Sequence, residues 1–544
     1  MVSTSYPKKQ LVSLVGAPES RILEALPDIK AGVESVADDA ITVEITGDRP
    51  DLLSVYGAAR ALRGYLEKDL GLVKNDWPSS GVKFFVEPDA EAIRPVLVGA
   101  VVRNVKLDDG KIQHLFQVQE KLDLTLGRRR KKGSIGLYDL DRLKGPFHLK
   151  NATMDTKFHP LKAEREMTVR QILKEHPTGK DYAHLVKGDR YPTLVDSKGQ
   201  ILSLVDIING VSSAVTEKTL NILIDITGTD WHACNTALNV LCQDFADQGA
   251  TVETVEVHHA SKKLVTPDFR PEKYVLRVDK VNQLLGTQLT PKQAVQLLRR
   301  QRLDVQVGRD TLECLVPRYR ADFLHEVDLV EEVALAHGFN RFVIKPPSLF
   351  TVGSKSDQTY VVQSARDALA SFGFVEFMTH VFFAPRKAAK AFADLDLVKI
   401  RNPVSEEYTS LRSMLMPSVL EALSENTHQP YPQKVFEVGQ VVGHDPSTET
   451  KTRTDVHAGL VSAHTQAGLT EAASLLDEFC RRMGVQYQLK DLKSERFIDG
   501  RAASIVVGKE TVGFVGELHP QVLENFGLQV PAAAFEIRLI KGER

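Results

Sequence analysis

The stretch Arg318-Tyr-Arg-Ala-Asp322-Phe-Leu-His-Glu-Val-Asp328-Leu-Val-Glu331-Glu332-Val-Ala-Leu335 organises the reading of this chain. Asp328, Glu331 and Glu332 stand at i, i+3 and i+4, so a helix puts their carboxylates on one face. Leu324, Val327, Val330, Val333 and Leu335 supply its apolar side, and Asp322 stands where an N-cap is expected. Like charges at that spacing repel, so such a helix calls for a cation or a basic partner. Oxygen ligands in this number suit Mg²⁺, which takes one or two carboxylates directly and keeps several waters. A solvated acidic face with a capping aspartate accounts for the same residues equally well.

Upstream, Thr290-Pro291 reads as an N-cap followed by a proline at the first helical position. Two strand-like runs follow, Leu303-Asp-Val-Gln-Val and Leu312-Glu-Cys-Leu-Val, ending at Pro317. Downstream, Gly338-Phe-Asn-Arg-Phe stops the acidic helix. Near the N-terminus, Arg49-Pro-Asp51-Leu-Leu echoes Arg320-Ala-Asp322-Phe-Leu, and a long helix is predicted after each, a weak internal repeat of one module. The first copy has Ala58, Ala59 and Arg60 where acids would be needed, so only the second can hold a cation.

At roughly 150 residues per domain, 544 residues imply three to four domains. Polar, proline-bearing stretches place them at 1–80, 90–262, 270–343 and 350–544. A formal net charge of −2 excludes a blanket nucleic-acid binder and leaves RNA contacts to local patches. Cys234, Cys242, Cys314 and Cys480 lack metal-ligand spacing and read as buried thiols of a reducing compartment. Neither a membrane-spanning run nor a signal-peptide core is legible, so a soluble cytosolic protein without membrane contact is expected. The second segment mixes strand-like and helical pieces, and the fourth is mostly strands with a helix between, which makes the whole multidomain α/β and α+β.

The order Arg-x-Asp, Asp-Leu-Val-Glu-Glu, Gly-Phe-Asn resembles the metal-helix domain of phenylalanyl-tRNA synthetase β subunits, specifically the archaeal and eukaryotic type. The resemblance extends over nearly the whole chain. It implies an N-terminal helical, winged-helix-like module at 1–80 and a mixed α/β editing domain at 90–262. A winged-helix-like domain bearing the metal helix follows at 270–343, and a class II synthetase-like antiparallel sheet at 350–544. It also implies Mg²⁺ on Asp322, Asp328, Glu331 and Glu332, and a heterotetramer of two α and two β chains working on tRNA(Phe). The α chain then carries ATP, phenylalanine activation and transfer.

A class II active site needs an arginine at the ATP phosphates within a strand–loop–strand, and a second after a glycine-rich strand. Arg412 precedes a predicted helix instead, and Gly513-Phe-Val-Gly516 leads to Glu517, so the fourth domain reads as a module without catalytic residues. Editing is a different matter. A synthetase for phenylalanine rejects tyrosine only weakly in an apolar pocket, and a second, hydrolytic site corrects the error. By resemblance, Leu194, Ser203, Asp225 and Thr227 line a side-chain pocket, while Glu120, Arg130 and Asn209 orient the ester, the water or the tRNA end. Asp225 and Thr227 alternate on one strand and so share a face, which an ordinary solvated sheet face would also explain. Arg128 to Lys132 read either as a solvated turn or as a phosphate clamp. Thr178-Gly-Lys180 lacks phosphate-loop spacing, and no Ser/His/Asp or Cys/His nucleophile arrangement is legible. The rival readings are a scaffold subunit without editing and a metal-dependent phosphotransferase built on the acidic helix.

Overall fold

A computed structural model describes residues 2–309 and 311–539, which fall into two compact units, 1–345 and 346–544. In the first unit the predicted repeat is real and longer than its sequence echo. The N-terminal copy runs strand Val2–Pro7, helices Lys8–Val15 and Glu19–Ala25, strands Ala31–Val36 and Ala40–Ile45, then helix Val55–Tyr65. The later copy runs strand Glu272–Leu276, helices Val278–Leu285 and Pro291–Arg300, strands Asp304–Val307 and Leu312–Val316, then helix Glu326–His337. Both sheets are antiparallel with the third strand in the middle. In both, the first helix ends on a left-handed glycine, Gly16 or Gly286. The Arg-x-Asp signature is a bidentate clamp in each copy: Arg49 donates to Asp51 at 2.9 and 2.9 Å, Arg320 to Asp322 at 2.8 and 2.6 Å.

The acidic helix differs from its expected form in two ways. It begins at Glu326 with His325 at the N-cap, so Asp322 is not the cap. Asp328 takes over that work from the first turn, accepting the backbone N–H groups of Leu324 and His325 at 2.7 Å each. The buried stripe also shifts. Leu324 and Val327 are 70% and 49% exposed, while Leu329, Val330, Val333 and Leu335 face inward. Leu324 precedes the helix, and Val327 in its first turn falls on the face turned away from the core. Thr290 caps its helix as read, with Gln293 closing a capping box.

Between the two copies lies a ten-stranded mixed sheet. Its core strand Ile222–Gly228 pairs antiparallel with Val96–Arg103 on one side and Gly133–Asp139 on the other. Ile222, Ile224 and Ile226 pack towards helix Trp231–Asp247 in one apolar cluster. That helix is buried through most of its length because the N-terminal copy covers its outer side with helix Val55–Tyr65. Leu223, Asp225 and Thr227 alternate onto the opposite face. The four cysteines are free and buried, as read.

The second unit is a seven-stranded sheet, antiparallel except for the edge pair Val375–Glu376 with Gln433–His444. Helices Asp357–Ser371 and Leu469–Met483 join the apolar cluster on one of its faces, and helix Met416–Glu425 joins another cluster with Met414. Arg412 is 1% exposed and donates to Glu437 at 2.7 Å, to Thr379 at 2.6 Å and to the Gln440 carbonyl at 2.9 Å. It is a satisfied core arginine. Among the described residues no helix is long and apolar enough to cross a membrane.

Candidate functional site

A cavity of about 520 Å³ opens on the Asp225 face of the mixed sheet, a ligand-sized volume. Five of the seven expected editing residues line it: Arg130, Ser203, Asn209, Asp225 and Thr227. Asp225 and Thr227 are 2% and 1% exposed, so this is no solvated sheet face. Two expectations need correction. Glu120 is exposed on helix Asp109–Leu124, and its neighbour Gln119 lines the cavity instead, donating to the Ile135 carbonyl at 2.8 Å. One residue is about 100° of helix, enough to turn Glu120 outward. Leu194 lies in the apolar core with Leu202, Leu223 and Tyr138 rather than on the cavity wall.

Asp225 sits in an unusual electrostatic position. Its cross-strand partners are Gly99 and Gly136, which carry no side chain. Its Oδ1 is buried without a hydrogen-bond partner. Burial is the main cause that lifts its pKa to about 7, with the nearby Tyr138 hydroxyl opposing and the charge of Asp206 adding. The Tyr138 hydroxyl donates to Ser203 Oγ at 2.9 Å. Burial first, then the neighbouring Asp225 charge, pushes that phenol well above its ordinary range.

The basic turn is anchored at one end and open at the other. Arg128, Arg129 and Arg130 all adopt left-handed φ of 47°, 52° and 63°, a costly run for non-glycine residues. Arg94, 4% exposed, holds the turn by donating to the Arg130 carbonyl at 2.7 Å and the Lys131 carbonyl at 3.0 Å, and it also pairs with Asp206. The Arg130 guanidinium donates to the Asp206 and Ile207 carbonyls at 2.9 and 3.0 Å and lies 4.2 Å over the Tyr182 ring. Asp123 stands 3.3 Å from it, with its pKa raised by burial to about 7 despite the Arg130 charge. Arg130 is therefore a wall of the cavity, while Arg128, Arg129 and Lys131 remain exposed beside it. Sequence reading missed Arg94, Asp206 and Tyr138. Asp206 adopts a left-handed φ of 64°, and no local signal marks it.

On the acidic helix the carboxylates are already matched by cations. Glu332, fully buried, accepts from Arg320 at 2.7 Å. Lys30 reaches in from the N-terminal copy, with its Nζ 2.9 Å from Glu331, 3.7 Å from Asp322 and 4.0 Å from Glu332. Burial alone would raise the Asp322 pKa, but Arg320 above all, then Arg49 and Lys30, bring it to about 2. Three of the four expected metal ligands thus converge on one cation position, where Glu332 Oε2 is a buried oxygen without a partner. Asp328 does not join them, because it is engaged in its cap. Among the described residues no group of three or more His, Cys, Asp or Glu side chains is placed to hold a metal. In this structure the Lys30 ammonium and the Arg320 guanidinium serve three of the four acids, and Asp328 stands apart from them.

Three family profiles match successive parts of the chain: the B3/4 domain at residues 105–240, the tRNA synthetase B5 domain at 274–339, and the phenylalanyl tRNA synthetase beta chain CLM domain at 344–539. The phenylalanine–tRNA ligase beta subunit of Thermococcus sibiricus is 39% identical over 499 residues, 90% of this chain and 89% of that one. That of Archaeoglobus fulgidus is 37% identical over 541 residues, covering 97% and 96%. A crystal structure of an N-terminal fragment of the phenylalanyl-tRNA synthetase beta subunit from Pyrococcus horikoshii superposes with a TM-score of 0.60 at 31% identity, covering 62% of this chain and 99% of the fragment. The chain belongs to the family of phenylalanine–tRNA ligase beta subunits, which are aminoacyl-tRNA synthetase subunits.

Proposed function

We propose that this family member hydrolyses Tyr-tRNA(Phe) in the cavity around Asp225, and that it does so within a cytoplasmic heterotetramer of two α and two β chains. The α chain would bind ATP, activate phenylalanine and transfer it to tRNA(Phe). The observation that carries the editing reading is the unpartnered, fully buried Asp225 Oδ1, aimed into a cavity that also holds Ser203 and Thr227. A buried acceptor without a donor is costly, and it rewards a ligand that brings one. The tyrosine phenol brings such a donor, whereas the phenylalanine ring does not.

The hydrolytic step is simple in balance. Water adds to the ester carbonyl carbon, the bond to the terminal ribose oxygen breaks, and that oxygen leaves with a proton while tyrosine departs as the free acid. Asn209, already donating to the Leu137 carbonyl at 3.3 Å, and the wall formed by Arg130 would orient the ester end. Arg128, Arg129 and Lys131 would meet the phosphates of the tRNA terminus. Geometry supports Gln119 rather than Glu120 as the polar contact from the neighbouring helix.

The acidic helix is part of the same reading. Asp322, Glu331 and Glu332, with Asp328 from the same helix, would hold Mg²⁺. When bound, the metal would neutralise these acids and fasten the helix for assembly with α. The second unit, with Arg412 consumed by Glu437, would serve as an inactive class II-like module at the α interface.

The deciding experiment uses the αβ complex and tRNA(Phe) mischarged with tyrosine. Asp225→Ala should slow clearance of Tyr-tRNA(Phe) by about a hundredfold or more, since a site built for a hydroxyl separates substrates by up to about 10⁴–10⁵. Phenylalanine activation should be unchanged. Clearance at the wild-type rate would place editing elsewhere, and loss of both activities would make Asp225 structural.

A further inference from the structure

We infer that Tyr138, standing over Gly136, is the positioning residue that gives the cavity its selectivity for a phenol over a plain phenyl ring. The inference rests on the reading of the cavity as a site for a tyrosyl ester. Tyr138 and Gly136 are two residues apart on strand Gly133–Asp139 and therefore share a face. A methyl group added to Gly136 would collide with both Asp225 Oδ1 and the Tyr138 hydroxyl. The missing side chain is thus the gap across which the carboxylate and the phenol approach each other.

Hydrogen-bond arithmetic gives the gap a direction. A phenol has one hydrogen, and Tyr138 gives it to Ser203 Oγ at 2.9 Å. Ser203 retains its own hydrogen, and the incoming bond leaves that hydrogen to point away from Tyr138. Ser203 and Asp225 both line the cavity, and Asp225 Oδ1 is without a donor. An entering phenol can accept from Ser203 and donate to Asp225, completing the chain Tyr138 to Ser203 to ligand to Asp225. Such chains polarise each member in the same direction. A phenyl ring can do neither and would leave the Ser203 hydrogen and the Asp225 oxygen buried and unpaired.

Without the Tyr138 hydroxyl, Ser203 is free to turn and donate elsewhere, including to Asp225 itself. The empty pocket would then be satisfied internally and would distinguish the two ligands less well. Tyr138 does not touch the reacting ester, so its effect should appear in binding rather than in turnover.

The test uses the αβ complex carrying Tyr138→Phe, with stable amide-linked tyrosyl and phenylalanyl 3′-adenosine as probes in calorimetry. The variant should lose about tenfold of the preference for the tyrosyl probe, as expected for one lost hydrogen bond in the chain. Affinity for the phenylalanyl probe should be unchanged. In parallel, the KM for Tyr-tRNA(Phe) hydrolysis should rise about tenfold with kcat retained. Gly136→Ala should weaken both probes by crowding the gap. An unchanged preference in Tyr138→Phe overturns the inference while leaving the editing reading intact. Equal loss of both probes overturns it as well, by making Tyr138 merely structural. If the wild-type complex binds the two probes equally, the editing reading fails first and this inference falls with it.

Discussion

Two groups of buried acids in this chain are handled in opposite ways. At the acidic helix, Asp322 and Glu332 are gripped by Arg320, and Lys30 closes over them with Glu331. In the cavity, Asp225 has an oxygen with no partner and two glycines for cross-strand neighbours. The first arrangement depresses an acid's pKa to about 2, and the second lifts one to about 7. Burial penalises both charges, and what separates them is whether cations are supplied. A matched cluster holds modules together, and an unmatched group waits for a ligand.

The largest effect should come from breaking the matched cluster. Arg320→Ala leaves Asp322 and Glu332 buried without their guanidinium, and loss of one partner of a buried pair costs about 3–5 kcal/mol. Urea unfolding followed in the first unit should show that loss. Asp225→Asn, by contrast, should leave stability at neutral pH unchanged or increased, because it removes a buried charge.

The pH dependence sharpens the contrast, and the two acids have opposite signs. Asp225 has a raised folded pKa, so the native state holds its proton more tightly than the unfolded chain does. Its contribution to stability is therefore full below about pH 4, declines as pH rises to about 7, and is flat above. The shift corresponds to a decline on the order of 4 kcal/mol. Asp225→Asn should abolish the decline, as read from stability curves across that window. Clearance of Tyr-tRNA(Phe) should rise through pH 7 as Asp225 becomes able to accept the phenol hydrogen. Asp322 has a depressed folded pKa, so its contribution is present above about pH 4 and lost as pH falls towards 2, about 2 kcal/mol in all. Asp322→Asn should lower stability at neutral pH and remove that acid-side loss, leaving the slope between about pH 4 and 7 unchanged.

A smaller effect is expected at Lys30. Lys30→Met should cost about 1–3 kcal/mol for the lost charged hydrogen bonds. It should also raise the Mg²⁺ retained by the purified complex, measured by elemental analysis, since the acids would lose one of their two internal cations. Metal content that stays constant would confine the acidic cluster to its role as a fastener between the two repeated modules. The smallest expected signal is none at all. The second unit treats its buried charges as the acidic helix does, with Arg412 matched by Glu437, so the intact chain without α should give no heat with ATP at millimolar concentration, where binding free energy is only about −4 kcal/mol. A stoichiometric heat there would mean that this domain retains a nucleotide site.

Much of this was legible from local pattern. The Thr290-Pro291 cap, the Gly338 stop and the paired Arg-x-Asp signatures lie within one turn or one helix, where spacing fixes geometry. The alternation in Ile222–Gly228 put Asp225 and Thr227 on one face, and both line the cavity. Errors arose where a face had to be chosen without its neighbours. Glu120 and Gln119 are adjacent in sequence, and only the sheet packed against their helix decides that Gln119 turns inward. Leu194 sits opposite Ser203 in the strand register, yet packing draws it into the core.

The sequence by itself determined which segments are helices and strands, that one module occurs twice, and that acids gather on a single helix. These follow from hydrophobic period, caps and turns, all short-range. Only the tertiary structure decided what each charge meets. Lys30 stands 301 positions before Glu331, and its ammonium becomes the partner of that acid only when the two modules pack. Tyr138 finds Ser203 across 65 positions, over a glycine whose importance lies in the side chain it lacks. Electrostatic energy depends on distance and burial, neither of which is written in spacing along a chain, so the same residue type becomes a fastener in one module and a ligand-seeking acceptor in another.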